Sequence, residues 1–227
     1  MQITHLGHAC LLVEVADQRI LLDPGVFSSV ADVTDLTAVV VTHQHPDHLD
    51  PERTGPLLVA NPHARVLMEA QTAQSVAESG YADRVETLPA GGSVELGSGD
   101  SSGRVTLTGV GERHADIHPY VPRIGNTGVV VRAEGEPVLY HPGDALDGDP
   151  GPVDLLGVPV SAPWGKVAEA IAFVRRIAPA QGVVPIHDGL LNDRGRGMYL
   201  QHIGDFGADG GVPVHDLRDA GATTFPR

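Results

Sequence analysis

The chain has 227 residues, 41 % of them hydrophobic, enough to bury a sizeable core as one domain over residues 1–227. Twenty-nine acidic against fifteen basic residues leave a formal charge of −14 spread along the chain, a surface that repels polyanions and speaks against nucleic acid as a partner. The single cysteine, Cys10, excludes an internal disulfide framework and a thiolate-rich zinc site, and with no signal-type start and no apolar run of membrane-spanning length the expectation is a cytoplasmic protein without a membrane partner.

The first half reads as short strands: "QITHL", "CLLVEV", "RILLD" and "AVVVT", an antiparallel meander leading into a buried strand. "ARVLME" continues as a strand, and "AQTAQSVAESG" reads as a helix stopped by Gly80. A second strand-rich block follows in "RVETL", "GSVEL", "RVTLTGV", "TGVVVRA", "PVLYH" and "DLLGVPV", then a helix in "KVAEAIAFVRRIA". The chain ends with the strand "GVVPI", a Gly-rich "HDGLLNDRGRGMYLQHIG" and a short "VPVHDL". Two strand-rich blocks, each followed by helical material, predict an α/β fold: two sheets face to face with helices outside, a four-layer αββα sandwich.

The chemistry concentrates in "VVVTHQHPDHLD", where an apolar run breaks into three histidines and an aspartate. His43 and His45, two residues apart, point to one side of an extended chain and can reach one metal ion. A turn at Pro46 re-aims Asp47 and His48 toward a second. Neither G-x-x-x-x-G-K-[ST] nor G-x-G-x-x-G is present, so no nucleotide cofactor is implied, and "GDSSG" reads as a hairpin with Ser101 in its loop, not as a nucleophile elbow.

On these residues the chain resembles the metallo-β-lactamase superfamily, whose central motif is H-x-H-x-D-H at a strand end. The family's other motifs are matched in order by Asp23 in "ILLDPG", His114 in "GERHADIH", Asp144 in "YHPGD" and His187 in "VVPIHDG". "ITHLGHACLLVE", "HPGD" and the "PW" of "SAPWGK" are most similar to the branch containing ascorbate-6-phosphate lactonases.

The resemblance implies His43, His45 and His114 on one metal, Asp47, His48 and His187 on the other, and Asp144 bridging. Five imidazoles and two carboxylates suit two divalent ions, zinc or manganese, with iron possible. It further implies a binuclear hydrolase in which a bridging hydroxide attacks a small ester, lactone or phosphoester, with Asp47, His48 and Asp144 the catalytic set. Asp23 is expected to hold a ligand imidazole from behind. His8, His118 and His141 are second-tier candidates beside ligands or substrate, and Trp164 and Lys166 are candidates for the pocket mouth, Lys166 facing an anionic substrate. The expected partner is a small molecule, anionic or carbonyl-containing. The alternatives are an RNase Z-like phosphodiesterase or nuclease, which the acidic balance opposes, and a non-catalytic metal-binding scaffold.

Overall fold

The computed structural model describes residues 1–97 and 103–227, so the reading of Ser101 lies outside the described residues. The antiparallel meander is present as β1 (Gln2–Gly7), β2 (Cys10–Val15) and β3 (Gln18–Leu22). β4 (Ala38–Val41), β5 (Arg65–Met68) and β6 (Val85–Thr87) extend the sheet in parallel from β3. The second sheet repeats the plan: β7 (Ser93–Leu96), β8 (Val105–Val110), β9 (Gly128–Ala133) and β10 (Leu139–His141) are antiparallel, then β11 (Leu155–Pro159) and β12 (Gly182–Ile186) run parallel to β10. A two-residue β13 (Thr223–Thr224) returns to pair with β1.

Strand periodicity explains the layers. In β2, Leu11 and Val13 face the second sheet, while Cys10 and Leu12 face outward. In β4, Ala38 and Val40 face inward, while Val39 and Val41 meet Leu57 and Leu58 of helix α1 (Thr54–Ala60). The uninterrupted "AVVV" is therefore buried on both faces, as parallel strands are. The central core joins Ile3, Ile20, Leu22 and Leu67 of one sheet to Leu107, Val129, Leu139 and Ile186 of the other. After α2 (Ala70–Ser75), the helices α3 (Val167–Ile177) and α4 (Asp193–Phe206) cover the far side of the second sheet, with Phe173, Val174 and Ile203 against Tyr140, Leu156 and Val183. The arrangement is the αββα sandwich.

Several boundaries differ from the reading of the sequence. The segment "TGPLLVA" forms α1 because its proline sits in the first turn, where no backbone hydrogen bond is lost. α2 ends at Ser75 instead of reaching Gly80, and the chain continues in three-residue turns, Ala77 N–H to Gln74 O and Ser79 N–H to Val76 O. The Gly-rich stretch after His187 contains α4, capped by Asn192, whose side chain accepts from Gly195 N. "VPVHDL" is reduced to a single bridge between Val183 and Val214. Pro185 is tolerated inside β12 because that strand is the last of its sheet. Among the described residues no helix is long and apolar enough to cross a membrane.

Candidate metal centre

Loops leaving the strand ends converge at one edge of the sandwich. His8 lies between β1 and β2, Asp23 follows β3, His43 to His48 follow β4, His114 follows β8, Asp144 follows β10 and His187 follows β12. Two of these loops need a glycine for close approach. A Cβ on Gly25 would lie 1.8 Å from Asp47 O, so the "DPG" turn admits the backbone of the histidine loop only as glycine. Gly143, at φ 63°, lets "HPGD" pass Thr42 and Asn126, and a Cβ there would be 2.4 Å from Asn126 Oδ1. His8, Asp23 and His187 all occupy the left-handed region, with φ of 56°, 47° and 58°. Strained backbone of this kind persists where the surroundings over-determine it.

Two groups of possible ligands result. His43, His45, His114 and Asp144 form one, and His8, Asp47, His48 and His187 the other, with the ligating atoms of each group all within 4.8 Å of one another. Asp144 stands between them: its Oδ2 is 3.1 Å from His114 Nε2 and 3.8 Å from His43 Nε2, and its Oδ1 is 3.2 Å from both His48 Nε2 and His187 Nε2. Among the described residues, His48 Nε2, His187 Nε2 and Asp144 Oδ1 are buried without a hydrogen-bond partner. Buried polar atoms are nearly always satisfied, so convergent orphans of this chemistry suit divalent metal ions.

The imidazole orientations are set from behind. His48 Nδ1–H donates to Asp23 Oδ2 (2.7 Å), His114 Nδ1–H to Ala115 O (2.8 Å) and His187 Nδ1–H to Ser161 O (2.6 Å). Thr42 Oγ1 donates to Asp23 Oδ2 (2.7 Å) and accepts from His43 Nδ1–H (3.1 Å). In each of these four rings Nδ1 carries a proton, so Nε2 is the nitrogen that faces the centre and the one a metal ion would take in place of a proton. Asp144 is held by its own N–H to Asn126 Oδ1 (3.0 Å), while Asn126 Nδ2 donates to Pro142 O.

Charge follows the same division. Burial lowers the pKa of His43 far below the usual imidazole value, and a neighbouring His48 lowers it further; burial and His114 likewise lower His45. Burial opposes charge on His48 and His187 too, but Asp144 with Asp23 raises the former well above its ordinary value, and Asp144 with Asp47 pushes the latter up to about 9. Burial also disfavours ionised Asp47 and Asp144, yet the facing imidazoles hold both far below the carboxylate range. The two carboxylates thus stay ionised and draw positive charge beside them.

The remaining candidates divide. His141 is fully buried, donating Nε2–H to Ala9 O and accepting from Gly143 N–H, so backbone groups occupy both nitrogens. His118 lies exposed with its ring on Tyr120, outside both groups. Trp164 places its ring 5.4 Å from that of His114 and 6.4 Å from those of His45 and His187. With Lys166, Ser161, Asp144 and Phe173 it lines a cavity of about 490 Å³. Residue types alone did not point to Thr42 or Asn126, or to Arg196 of α4, which pairs at 2.6 Å with Asp188 beside His187.

A family model described as "Beta-lactamase superfamily domain" matches residues 2–187. Protein Rv0786c of Mycobacterium tuberculosis is 40 % identical over 201 residues, 88 % of this chain and 89 % of that protein. A UPF0173 metal-dependent hydrolase of Xanthobacter autotrophicus is 29 % identical over 219 residues, 83 % of this chain and 84 % of its own length. Among solved structures, the metallo hydrolase Igni18 of Ignicoccus hospitalis superposes with a TM-score of 0.71 at 19 % identity, covering 99 % of this chain and 98 % of that one.

Proposed function

This chain belongs to the beta-lactamase superfamily, and we propose that it is a metal-dependent hydrolase with a two-metal centre acting on a small ester, lactone or phosphoester. The observation that carries the reading is the pair of ligand groups joined by Asp144, in which two imidazole nitrogens and one carboxylate oxygen are buried with no hydrogen-bond partner among the described residues. His43, His45, His114 and Asp144 would hold one ion, and Asp47, His48 and His187, again with Asp144, the other. When bound, two zinc or manganese ions supply Lewis acidity that brings the pKa of water toward 7 and offsets negative charge developing on the substrate.

The chain's own residues do the rest. Asp144 would offset the repulsion between two dications, and the hydrogen bonds behind His43, His48, His114 and His187 keep the Nε2 of each aimed inward. Trp164 walls the cavity beside the ligands, with Val160, Ala170 and Phe173 as an apolar floor. Lys166, the only lysine in the chain, lies at the cavity and supports a substrate carrying negative charge away from the scissile bond. A space of about 490 Å³ suits a small molecule, and the −14 surface disfavours a polynucleotide.

The test is metal analysis joined to a substrate panel of phosphorylated and neutral lactones, simple esters, phosphodiesters and a structured RNA, run with zinc and with manganese. Two metals per chain and turnover of a small lactone, ester or phosphoester are expected. RNA cleavage that weakens as salt rises would move the assignment to the nuclease alternative, and two bound metals with no turnover anywhere would move it to a scaffold.

A further inference from the structure

We propose that His8 is a positioning residue that donates a fixed Nε2–H hydrogen bond to Asp47, and that it is not a fourth ligand of the second ion although it lies within that ligand group. The proposal rests on the two-metal reading above. His8 is 2 % exposed, and its Nε2 is 3.2 Å from Asp47 Oδ2, close enough to His48 and His187 to pass as a ligand by proximity.

The other face of the ring decides between these roles. Gly189 N–H points at His8 Nδ1 from 3.0 Å. A backbone amide can only donate, so Nδ1 carries a lone pair, and the single proton of a neutral imidazole must be on Nε2. That proton faces a carboxylate oxygen, which can only accept. A nitrogen bearing a proton has no lone pair for a metal. His43, His48, His114 and His187 show the reverse pattern, each giving Nδ1–H to a group behind it and turning Nε2 to the centre, within 3.8 Å of an Asp144 oxygen. The fold therefore distinguishes five neighbouring imidazoles by what stands behind them.

The ring is held tightly enough for this tautomer to persist. His8 follows Gly7 in a left-handed turn, and its ring lies 4.0 Å from that of His187 and 5.1 Å from that of Phe27. His187 N–H donates to His8 O (3.0 Å), so one residue accepts backbone hydrogens from both His187 and Gly189. A Cβ on Gly189 would come within 2.9 Å of His8 Nδ1, which explains a glycine in "IHDG". His8 thus joins the turn between β1 and β2 to the loop carrying His187, and orients Asp47 from a third loop. Contacts of this kind behind a ligand typically govern metal affinity by about 10–100-fold.

Two measurements test this. In uniformly 15N-labelled protein loaded with zinc, a long-range 1H–15N spectrum is expected to show His8 protonated on Nε2 with an unprotonated, metal-free Nδ1. Chelator competition on the loaded protein compares His8→Gln, whose amide NH₂ reaches the place of Nε2, with His8→Leu, which donates nothing. His8→Gln is expected to keep two zinc ions within about threefold of the parent affinity, and His8→Leu to weaken one of them by about 10–100-fold while the other stays bound. A His8 Nε2 lacking its proton and bound to zinc, or a His8→Gln chain as defective as His8→Leu, would overturn the proposal. A parent chain that binds fewer than two zinc ions would sink the two-metal reading instead, and the His8 tautomer in the same spectrum would still decide the present one.

Discussion

Asp23 holds His48 through a 2.7 Å hydrogen bond to Nδ1, and both side chains are fully shielded from water. The same carboxylate accepts from Thr42 N (2.8 Å) and Thr42 Oγ1 (2.7 Å), and Thr42 in turn holds His43. One buried carboxylate therefore orients one imidazole in each ligand group. Asp23→Asn is the informative change, because asparagine tolerates the left-handed backbone at φ 47° while losing the charge and one acceptor. Metal affinity is expected to fall about 10–100-fold with the fold intact, read by chelator competition beside a circular dichroism spectrum. Parent-like affinity would remove Asp23 from the centre.

Asp144 and His118 make a paired comparison. Asp144 is buried and faces three imidazoles within 3.2 Å, whereas His118 packs on Tyr120 in an exposed loop. Asp144→Ala removes the carboxylate that, among the described residues, stands between the two groups, so bound metal is expected to drop from two ions per chain to one or none, and activity with it. His118→Ala is expected to retain both ions, with any change confined to KM. Elemental analysis of the two variants decides the matter, and equal metal content would refute the role given to Asp144.

These contrasts show what could be read in advance. His43, His45, Asp47 and His48 were legible because ligand-type residues were crowded directly after an apolar run, and Asp144 because "HPGD" ends a strand. The β-rich layers were legible from alternation. The groups behind the ligands were not: Ala115 O and Ser161 O are backbone atoms and leave no trace in residue type, and Asn126 is one buried asparagine in a loop. α4 was hidden by Gly195, Gly197 and Gly204, which lower helix propensity, while Ile203 packing and the Arg196 ion pairs override it. His8 had the right residue type, but its role turns on a tautomer that only the Gly189 contact reveals.

Trp164 is the only tryptophan and sits in the cavity wall, so its fluorescence reports ligands there without turnover. In the zinc-loaded protein, α,ω-dicarboxylates should bind more tightly than monocarboxylates of equal length, one acid group at the metals and the second at Lys166. Lys166 is exposed, so its pairing with an anion is weak, and Lys166→Met should reduce the dicarboxylate advantage only about two- to fivefold. Monocarboxylate affinity should not change. An unchanged dicarboxylate advantage in the variant would place the second acid group elsewhere.

Arg196 anchors the loop that carries His187, and its pairs give a pH-dependent stability. Its Nε donates to Asp188 Oδ2 and its two terminal nitrogens grip both oxygens of Asp216, all at 2.6 Å. The Arg196 hydrogen bonds hold the Asp216 carboxyl below the usual range, against a smaller opposing effect of burial. A carboxyl with a folded pKa below its unfolded value of about 3.9 adds stability that is present above that value and is lost as pH falls through the folded one. Asp216 is nearly half exposed, so solvent screening limits this contribution to about 1 kcal/mol or less at pH 7. Asp216→Asn should therefore be slightly less stable than the parent at pH 7, with the difference closing as pH drops below about 4. Arg196→Met should cost more, about 2 kcal/mol, because it removes one of the two arginines that pair with the fully buried Asp188 and leaves Arg218 alone beside it. Urea unfolding of parent and variants at pH 7 and at the lowest pH where the parent stays folded measures both. A gap between Asp216→Asn and the parent that widens toward acid would reverse the sign of this linkage and show that the Arg196–Asp216 pair does not stabilise the folded chain.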